Sequence, residues 1–334
     1  MTTEFELIAR IAELFGAPEG VAVGIGDDGA VLDPGRFDLV TMDTMVEGVH
    51  FKRDWSSPQD VGWKLLASNL SDIAAMGGGP GAFFLSMALP ADLDPQWPEG
   101  VLEGIKDAAR ALVPESFEVS AGGGDLSATH GPIVLTMTLM GEASPAGPVL
   151  RRGAVPGDRI VLLGQTGLAA AGVSILSGEV EVEAGQFAEA LRAHRRPGAQ
   201  VRAGALLGLY GVPSAMIDVS DGLVQDLGHI LKASEVGARL EAYSLPHHPE
   251  LVLLREEHGV DILKLMLTGG DDYELLMTIP PARMPKIWDM ARRHSWDVHD
   301  IGEVRSPDEG MVVLGPDGEP VTFAQGGYRH FEAR

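Results

Sequence analysis

The stretch that most constrains this chain is an apolar run, Phe37 to Thr41, followed at once by Met42-Asp43-Thr44-Met45-Val46-Glu47-Gly48-Val49-His50-Phe51. The run predicts a buried strand ending near Thr41. The residues after it predict a loop carrying an acid, a glycine and a histidine. A carboxylate released at the end of a buried strand is well placed to reach a ligand. The pattern recurs. Asp28, Asp72, Asp125, Asp218 and Asp221 each sit beside glycine or serine, or at the end of a predicted element.

The chain has 334 residues. That is too long for one ordinary core and predicts two domains of about 150 residues each. Ala143-Ser144-Pro145-Ala146-Gly147-Pro148 is the most linker-like stretch mid-chain, so the expected domains are 1–142 and 149–334. The formal net charge of -23 argues against non-specific binding to nucleic acid or to an anionic membrane. It leaves a nucleotide ligand open, because bound Mg²⁺ inverts the local sign of a site. There is no cysteine, which excludes disulfides, zinc–thiolate sites, Fe–S clusters and a thiol nucleophile. That composition fits a cytoplasmic protein. The acidic opening, Met1 to Glu6, has no secretory pattern. No window approaches the ~18 uninterrupted apolar residues of a spanning helix.

Phe5, Ile8, Ile11, Leu14 and Phe15 recur at helical spacing. Ser57-Pro58-Gln59-Asp60 predicts a helix start, with a hydroxyl N-cap, proline at N1 and an acid at N3. That helix should run from Val61 to about Met76 and place Asn69 and Asp72 on one face. Strands are expected at Ala82–Leu89, Phe117–Ala121, Ile133–Met140, Arg159–Leu163 and Ser214–Asp218. Helices are expected at Pro95–Leu112, Thr166–Leu176, Gln200–Leu209, from about Leu223, and at Pro281–His294. The Phe117–Ala121 strand should run into Gly122-Gly123-Gly124-Asp125, and Leu267 to Leu275 reads as a loop entering a strand. Thr-rich and hairpin-like strands among the helices favour α+β, with mixed sheets and helices packed on them, over a parallel sheet.

Gly24-Ile25-Gly26-Asp27-Asp28-Gly29 matches G-x-G-x-x-G. Its adjacent aspartates would repel a pyrophosphate, so it is not read as a dinucleotide fingerprint. No Walker A loop, protein-kinase signature, H-E-x-x-H or G-x-S-x-G is present. The residues alone leave two readings of the six aspartates. Either they are independent turn and cap residues, which such positions favour, or they converge on Mg²⁺. Six clustered carboxylates would need several such ions to stay charged together.

The motifs in order resemble the thiamine-monophosphate kinase family, of the superfamily that includes aminoimidazole ribonucleotide synthetase. They are Gly24 to Asp28, Asp43 to Phe51, Asn69 to Gly77, Gly123-Gly124-Asp125, Arg151 with Pro156-Gly157-Asp158, Asp218 to Leu223, Thr268 to Leu275, and Gly327-Tyr328-Arg329-His330-Phe331. The resemblance implies a two-domain aminoimidazole ribonucleotide synthetase-like fold. It implies a homodimer through the first domain, with the second completing the nucleotide and substrate site. The implied reaction is ATP- and Mg²⁺-dependent phosphorylation of thiamine monophosphate to thiamine diphosphate. By carry-over, Asp28, Thr41, Met42 through its backbone, Asp43, Asp72, Asp125, Asp218 and Asp221 hold several Mg²⁺ ions. Gly124, Asp125, Arg151 and Ser220 contact ATP, and His50, Asp271 and Tyr328 contact thiamine phosphate. Asp27 and Asp272 are neighbours able to share or replace those roles.

Three positions depart from the family pattern. Met42 stands where threonine is more usual, Leu126 where threonine is common, and Asp271 where glutamate is usual. None removes a carboxylate from the set. The acceptor chemistry agrees with the absence of a base motif. A phosphate monoester has a second pKa of about 6, so it is already mostly dianionic and needs no general base. The alternative within the superfamily is aminoimidazole ribonucleotide synthetase or another ATP-dependent amide-activating enzyme. The Val46–Phe51 and Gly327–Phe331 signatures speak against it. A non-catalytic nucleotide binder would not need every acid. Lys64 is expected either as a solvated helix lysine or as a phosphate neighbour.

Overall fold

Ser57 begins the helix that organises the first half of a computed structural model of the chain. Its Oγ accepts the Asp60 N–H at 3.2 Å, and its own N–H donates to Asp60 Oδ2 at 3.1 Å. This reciprocal cap, with Pro58 at the first turn, is what the sequence predicts. The structure describes residues 37–183, 185–315, 317–321 and 327, with Arg10, Leu14 and the backbone of 21–23 and 31–32. The expected opening helix therefore lies outside the described residues, apart from Arg10 and Leu14, which are helical.

Two compact units divide the chain: Met1–Gly147 with Ala199–Leu209, and Pro148–Gly198 with Tyr210–Arg334. In the first, β1 (Val21–Val23) pairs antiparallel with β2 (Val31–Leu32). A four-stranded sheet has the order β3 (Leu39–Val46), β6 (Val134–Glu142), β4 (Gly79–Pro90), β5 (Ser120–Thr129). Its pairings are antiparallel except β4–β5, which is parallel. Helices α1 (Pro58–Ala75) and α2 (Gln96–Leu112) supply the apolar partners of one face. Leu65, Leu66, Leu70 and Ile73 from α1 are fully buried with Phe83, Leu85, Leu135, Met137 and Leu139 from the sheet. The helices touch backbone to backbone. A Cβ on Gly62 would stand 2.0 Å from the Val101 carbonyl oxygen, and one on Gly104 would stand 2.0 Å from that of Gln59.

The second unit holds a six-stranded sheet ordered β12 (Met311–Leu314), β9 (Gly237–Glu241), β11 (Val298–Arg305), β7 (Arg159–Leu163), β10 (Glu274–Ile279), β8 (Ala215–Val219). Only β12–β9 is parallel among its pairings. Helices α3 (Leu168–Leu176), α4 (Ala188–Arg195), α6 (Leu223–Ser234), α7 (Pro249–His258), α8 (Ile262–Thr268) and α9 (Met284–His294) belong to this unit. The intervening α5 (Val201–Leu209) belongs to the first unit, where Gly204 lies against the Ala74 backbone. Mixed sheets with helices packed on them are the expected α+β architecture. Among the described residues no helix is long and apolar enough to cross a membrane.

Three sequence expectations are corrected. β3 does not end near Thr41 but continues through Asp43 to Val46. Nor is it buried on both faces: among the described residues it is an edge strand paired only with β6, and Val40 and Met42 are 67% and 66% exposed. Its alternation is that of a strand with one covered face. The strand expected at Phe117–Ala121 does not end before the glycine run at 122–124 either, because parallel pairing with β4 carries β5 straight through it. Lys64 is 4% exposed on α1, so it is not a solvated helix lysine.

Candidate active site

The pleat of β3 sorts its side chains. Thr41, Asp43 and Met45 point to one face, and Val40, Met42 and Thr44 to the other. Asp43 pairs in register with Met137, which pairs with Leu85, and both are buried beneath the helices. Asp43 therefore shares the covered face with Thr41. Thr41 Oγ1 donates to Asp72 Oδ2 in a short hydrogen bond from strand to helix. The structure thus joins Thr41 to Asp72 and places Asp43 beside Thr41 on the same face. The Met42 side chain points the other way, leaving its backbone for any ligand role. Asn69 lies one turn before Asp72 on α1. Its Nδ2 donates to the Leu65 carbonyl at 2.8 Å, and its buried Oδ1 has no hydrogen-bond partner.

His50 follows in a built turn. Its N–H donates to Val46 O at 2.9 Å, and its Nδ1 accepts the Val46 N–H at 3.0 Å. The ring is thereby oriented by its own turn. Phe51 is buried and stacks on Trp97, with centroids 6.2 Å apart, which anchors the turn to α2.

Gly124 is opposite Leu85 on β5, and a Cβ there would stand 2.0 Å from the Leu85 carbonyl oxygen. Only glycine fits. Asp125 pairs with Ser86, so it projects from the opposite face of the sheet to Asp43. It is exposed and accepts the Ser127 hydroxyl at 3.0 Å.

In the second unit Asp218 is buried near the end of β8, and Ser220-Asp221-Gly222 leads into α6. The Asp226 carboxylate, on the first turn of α6, receives the N–H groups of Ser220, Asp221 and Gly222 at 3.0, 3.1 and 3.1 Å. Burial, and then the nearby Asp221 charge, pushes the Asp226 carboxyl up to about 7. Asp221, Asp226 and His229 each offer a ligand atom, all within 4.8 Å of one another. Burial and then the Arg151 charge lower the pKa of His229.

The Gly269–Tyr273 loop packs on the same segment. Asp271 N–H donates to Ser220 O and Tyr273 N–H to Val219 O, both at 2.8 Å. A Cβ on Gly270 would stand 2.5 Å from Ser220 O. Asp271 and Tyr273 adopt φ of 68° and 53°, a strained choice for residues with side chains. The Tyr273 hydroxyl donates to Asp271 Oδ1 at 3.0 Å. The neighbouring Asp272 is turned away to cap α3, accepting the Gly167 N–H at 2.7 Å and the Ala169 N–H at 3.4 Å. Burial raises its pKa well above the ordinary carboxylate value.

Asp28, Asp27 and Tyr328 lie outside the described residues. Sequence reasoning missed Asp226 and His229. The available signal was the spacing: an acid four residues after the Gly222 turn, then a histidine three residues further on the same helix face.

Comparison with known proteins gives the following. Residues 26–143 match the model of the AIR synthase related protein, N-terminal domain, and residues 155–315 that of the AIR synthase related protein, C-terminal domain. The thiamine-monophosphate kinase of Escherichia coli K12 is 38% identical over 333 residues, covering 98% of each chain. That of Bacillus subtilis is 34% identical over 340 residues, covering 98% of this chain and 99% of the other. The crystal structure of thiamine-monophosphate kinase from Stenotrophomonas maltophilia superposes with a TM-score of 0.81 at 33% identity, covering 96% of this chain and 98% of that one. A structure of AaThiL complexed with AMPPCP and TMP gives 0.76 at 32% identity, covering 98% and 97%. Escherichia coli HypE, a hydrogenase maturation protein, gives 0.74 at 16% identity, a likeness of fold alone.

Proposed function

We propose a reaction for a chain that belongs to the AIR synthase related family and, within it, to the thiamine-monophosphate kinases. It transfers the γ-phosphoryl group of ATP to the phosphate of thiamine monophosphate, giving thiamine diphosphate and ADP. The observation that carries this reading is end-to-end likeness to thiamine-monophosphate kinases, one relative having been solved with an ATP analogue and TMP together. The amide-activating alternative has no comparable support. A cytoplasmic location is part of the same reading.

The donor set fits Mg²⁺, and that fit is the second half of the proposal. Thr41, Asp43 and Asp72 in one unit, and Asp218 and Asp221 in the other, offer oxygen donors only, which suit a hard cation. Asp28 and the Met42 carbonyl are further assigned ligands, and Asp125, on the opposite face of the sheet from Asp43, would hold a separate ion. Bound there, Mg²⁺ supplies the positive charge that lets two polyanions approach. Arg151 and Ser220 contact the nucleotide. Gly124 contacts it through its backbone. His50 and Asp271, each oriented by its own turn, contact the acceptor together with Tyr328. No residue need remove a proton, because the acceptor is already anionic. Transfer is therefore direct, without a phospho-enzyme, and catalysis is positioning plus charge neutralisation. Purified chain incubated with ATP, Mg²⁺ and thiamine monophosphate should yield thiamine diphosphate by chromatography. Unphosphorylated thiamine should give nothing, and EDTA should abolish the product. Product from formylglycinamidine ribonucleotide instead would move the chain to the alternative.

A homodimer through the first unit is also proposed. The face of the four-stranded sheet opposite α1 and α2 carries exposed Val40 and Met42 beside Met140 and Thr138 in register. Such an apolar strip on an edge strand needs cover. Light scattering should give a dimer mass for the native chain and a monomer for Met42→Glu. A monomeric native chain would remove this part of the proposal.

A further inference from the structure

We propose that Asp226 is a positioning residue, one that sets the shape of the Asp218–Gly222 loop for Mg–nucleotide binding. The inference rests on the kinase reading above. Asp226 is 2% exposed, and a single oxygen, Oδ2, gathers three successive backbone N–H groups. Those donors belong to Ser220, Asp221 and Gly222, all upstream of Leu223, the first residue of α6.

An ordinary cap acts the other way. It sits before the helix and accepts N–H groups from inside the first turn. The N-cap here is Gly222, which has no side chain, with φ at 129°. Asp226 thus sits inside the helix and reaches back to curl the loop around its carboxylate. Helix continuity does not require this, since the Asp226 N–H already bonds Gly222 O at 2.9 Å. What the three bonds fix is the direction of Asp221 and Ser220.

The arrangement also places a buried carboxylate with an oxygen within 4.8 Å of one on Asp221, another acid. Burying a charge beside a like charge is costly. A serine or asparagine N-cap would finish the helix without that cost. The acid is worth retaining if the loop's conformation, rather than the helix end, is what it secures. Gln225 works alongside it, donating from Nε2 to Asp221 Oδ2 at 3.0 Å. From the loop's other side Tyr273 and Asp271 donate to Val219 O and Ser220 O, so the same curl also seats the acceptor loop.

The test is calorimetric titration of Mg²⁺–AMPPCP into the native chain, Asp226→Asn and Asp226→Ala, each well below its melting temperature. Native chain should bind. Asp226→Ala should weaken Kd about 10- to 100-fold, the range for residues that orient metal ligands without touching the metal. Asp226→Asn should weaken it less, because the amide oxygen still accepts the three N–H groups. In turnover, KM for Mg–ATP should rise more than kcat falls. Native-like Kd in both variants, with only a lowered Tm, would assign Asp226 to the fold and overturn the inference. Failure of the native chain to bind Mg²⁺–AMPPCP would instead overturn the kinase reading and this inference with it.

Discussion

Asp72→Asn should lower the rate of thiamine diphosphate formation by about 10³-fold or more while leaving the fold intact. The magnitude follows from what the residue does. Deleting one preorganised electrostatic partner from a site whose catalysis is charge neutralisation costs about 10²- to 10³-fold, and a metal ligand stands at the upper end. The fold survives for a geometric reason. Asp72 is held by the Thr41 hydroxyl, which donates to it. The oxygen of an asparagine can accept the same bond. The change therefore removes a charge and a hard ligand but neither the hydrogen bond nor the volume. Asp43→Asn should behave alike, since Asp43 shares the covered face of β3 with Thr41. Coupled kinetics against Mg²⁺ concentration, with thermal unfolding in parallel, separates the two effects. Unchanged rates in both variants would undo the metal assignment for this unit. A collapse of Tm in step with activity would make these acids structural.

Legibility followed the range of the interaction that decides each feature. Ser57-Pro58-Gln59-Asp60 announced α1 because a capping box is a contact within four residues. The helices at 96–112 and 284–294 were legible because amphipathic spacing is local. The end of β3 was not. Asp43 and Thr44 look like loop residues until β6 is laid beside them, when Asp43 pairs with Met137 and Thr44 bonds Thr136 at 2.8 Å between hydroxyls. The triple glycine of β5 misled for the same reason, since its extension comes from a strand some 40 residues earlier. Lys64 could not be read as buried, because a lysine on a helix is ordinarily solvated. At the candidate site the acids next to glycine and serine stood out, since turn chemistry is local. Asp226 did not, because an acid in a first helical turn is ordinary until its carboxylate is seen reaching backwards.

The second large effect concerns stability, and it has the opposite sign to the one helix propensity gives. Gly62 lies in the interior of α1, and alanine there is intrinsically better by about 1 kcal/mol. In this chain Gly62→Ala should destabilise the first unit by about 3 kcal/mol. Its Cβ would lie 2.0 Å from the Val101 oxygen and 2.8 Å from the Val101 carbon, both main-chain atoms of α2. A side chain could rotate away, but a helix backbone cannot. The contact is relieved only by moving α1 and α2 apart, along an interface where Leu65, Leu66, Val101, Leu102 and Ile105 are fully buried or nearly so. Overpacking of this kind costs about 1–3 kcal/mol and occasionally more, and an unyielding partner puts the net loss at the top of that range. Gly104 makes the reciprocal approach to Gln59. One separation relieves both clashes, so Gly62→Ala with Gly104→Ala should cost less than the two singles added. Gly228 in α6 provides the contrast, because nothing lies within 4 Å of its Cβ position. Gly228→Ala should stabilise by up to about 1 kcal/mol. Urea midpoints at constant m-value measure all four variants against the native chain. Stabilisation by Gly62→Ala matching that by Gly228→Ala would mean that α1 and α2 do not meet backbone to backbone, and the close helix pair beneath the Asp43–Asp72 face would have to be redrawn.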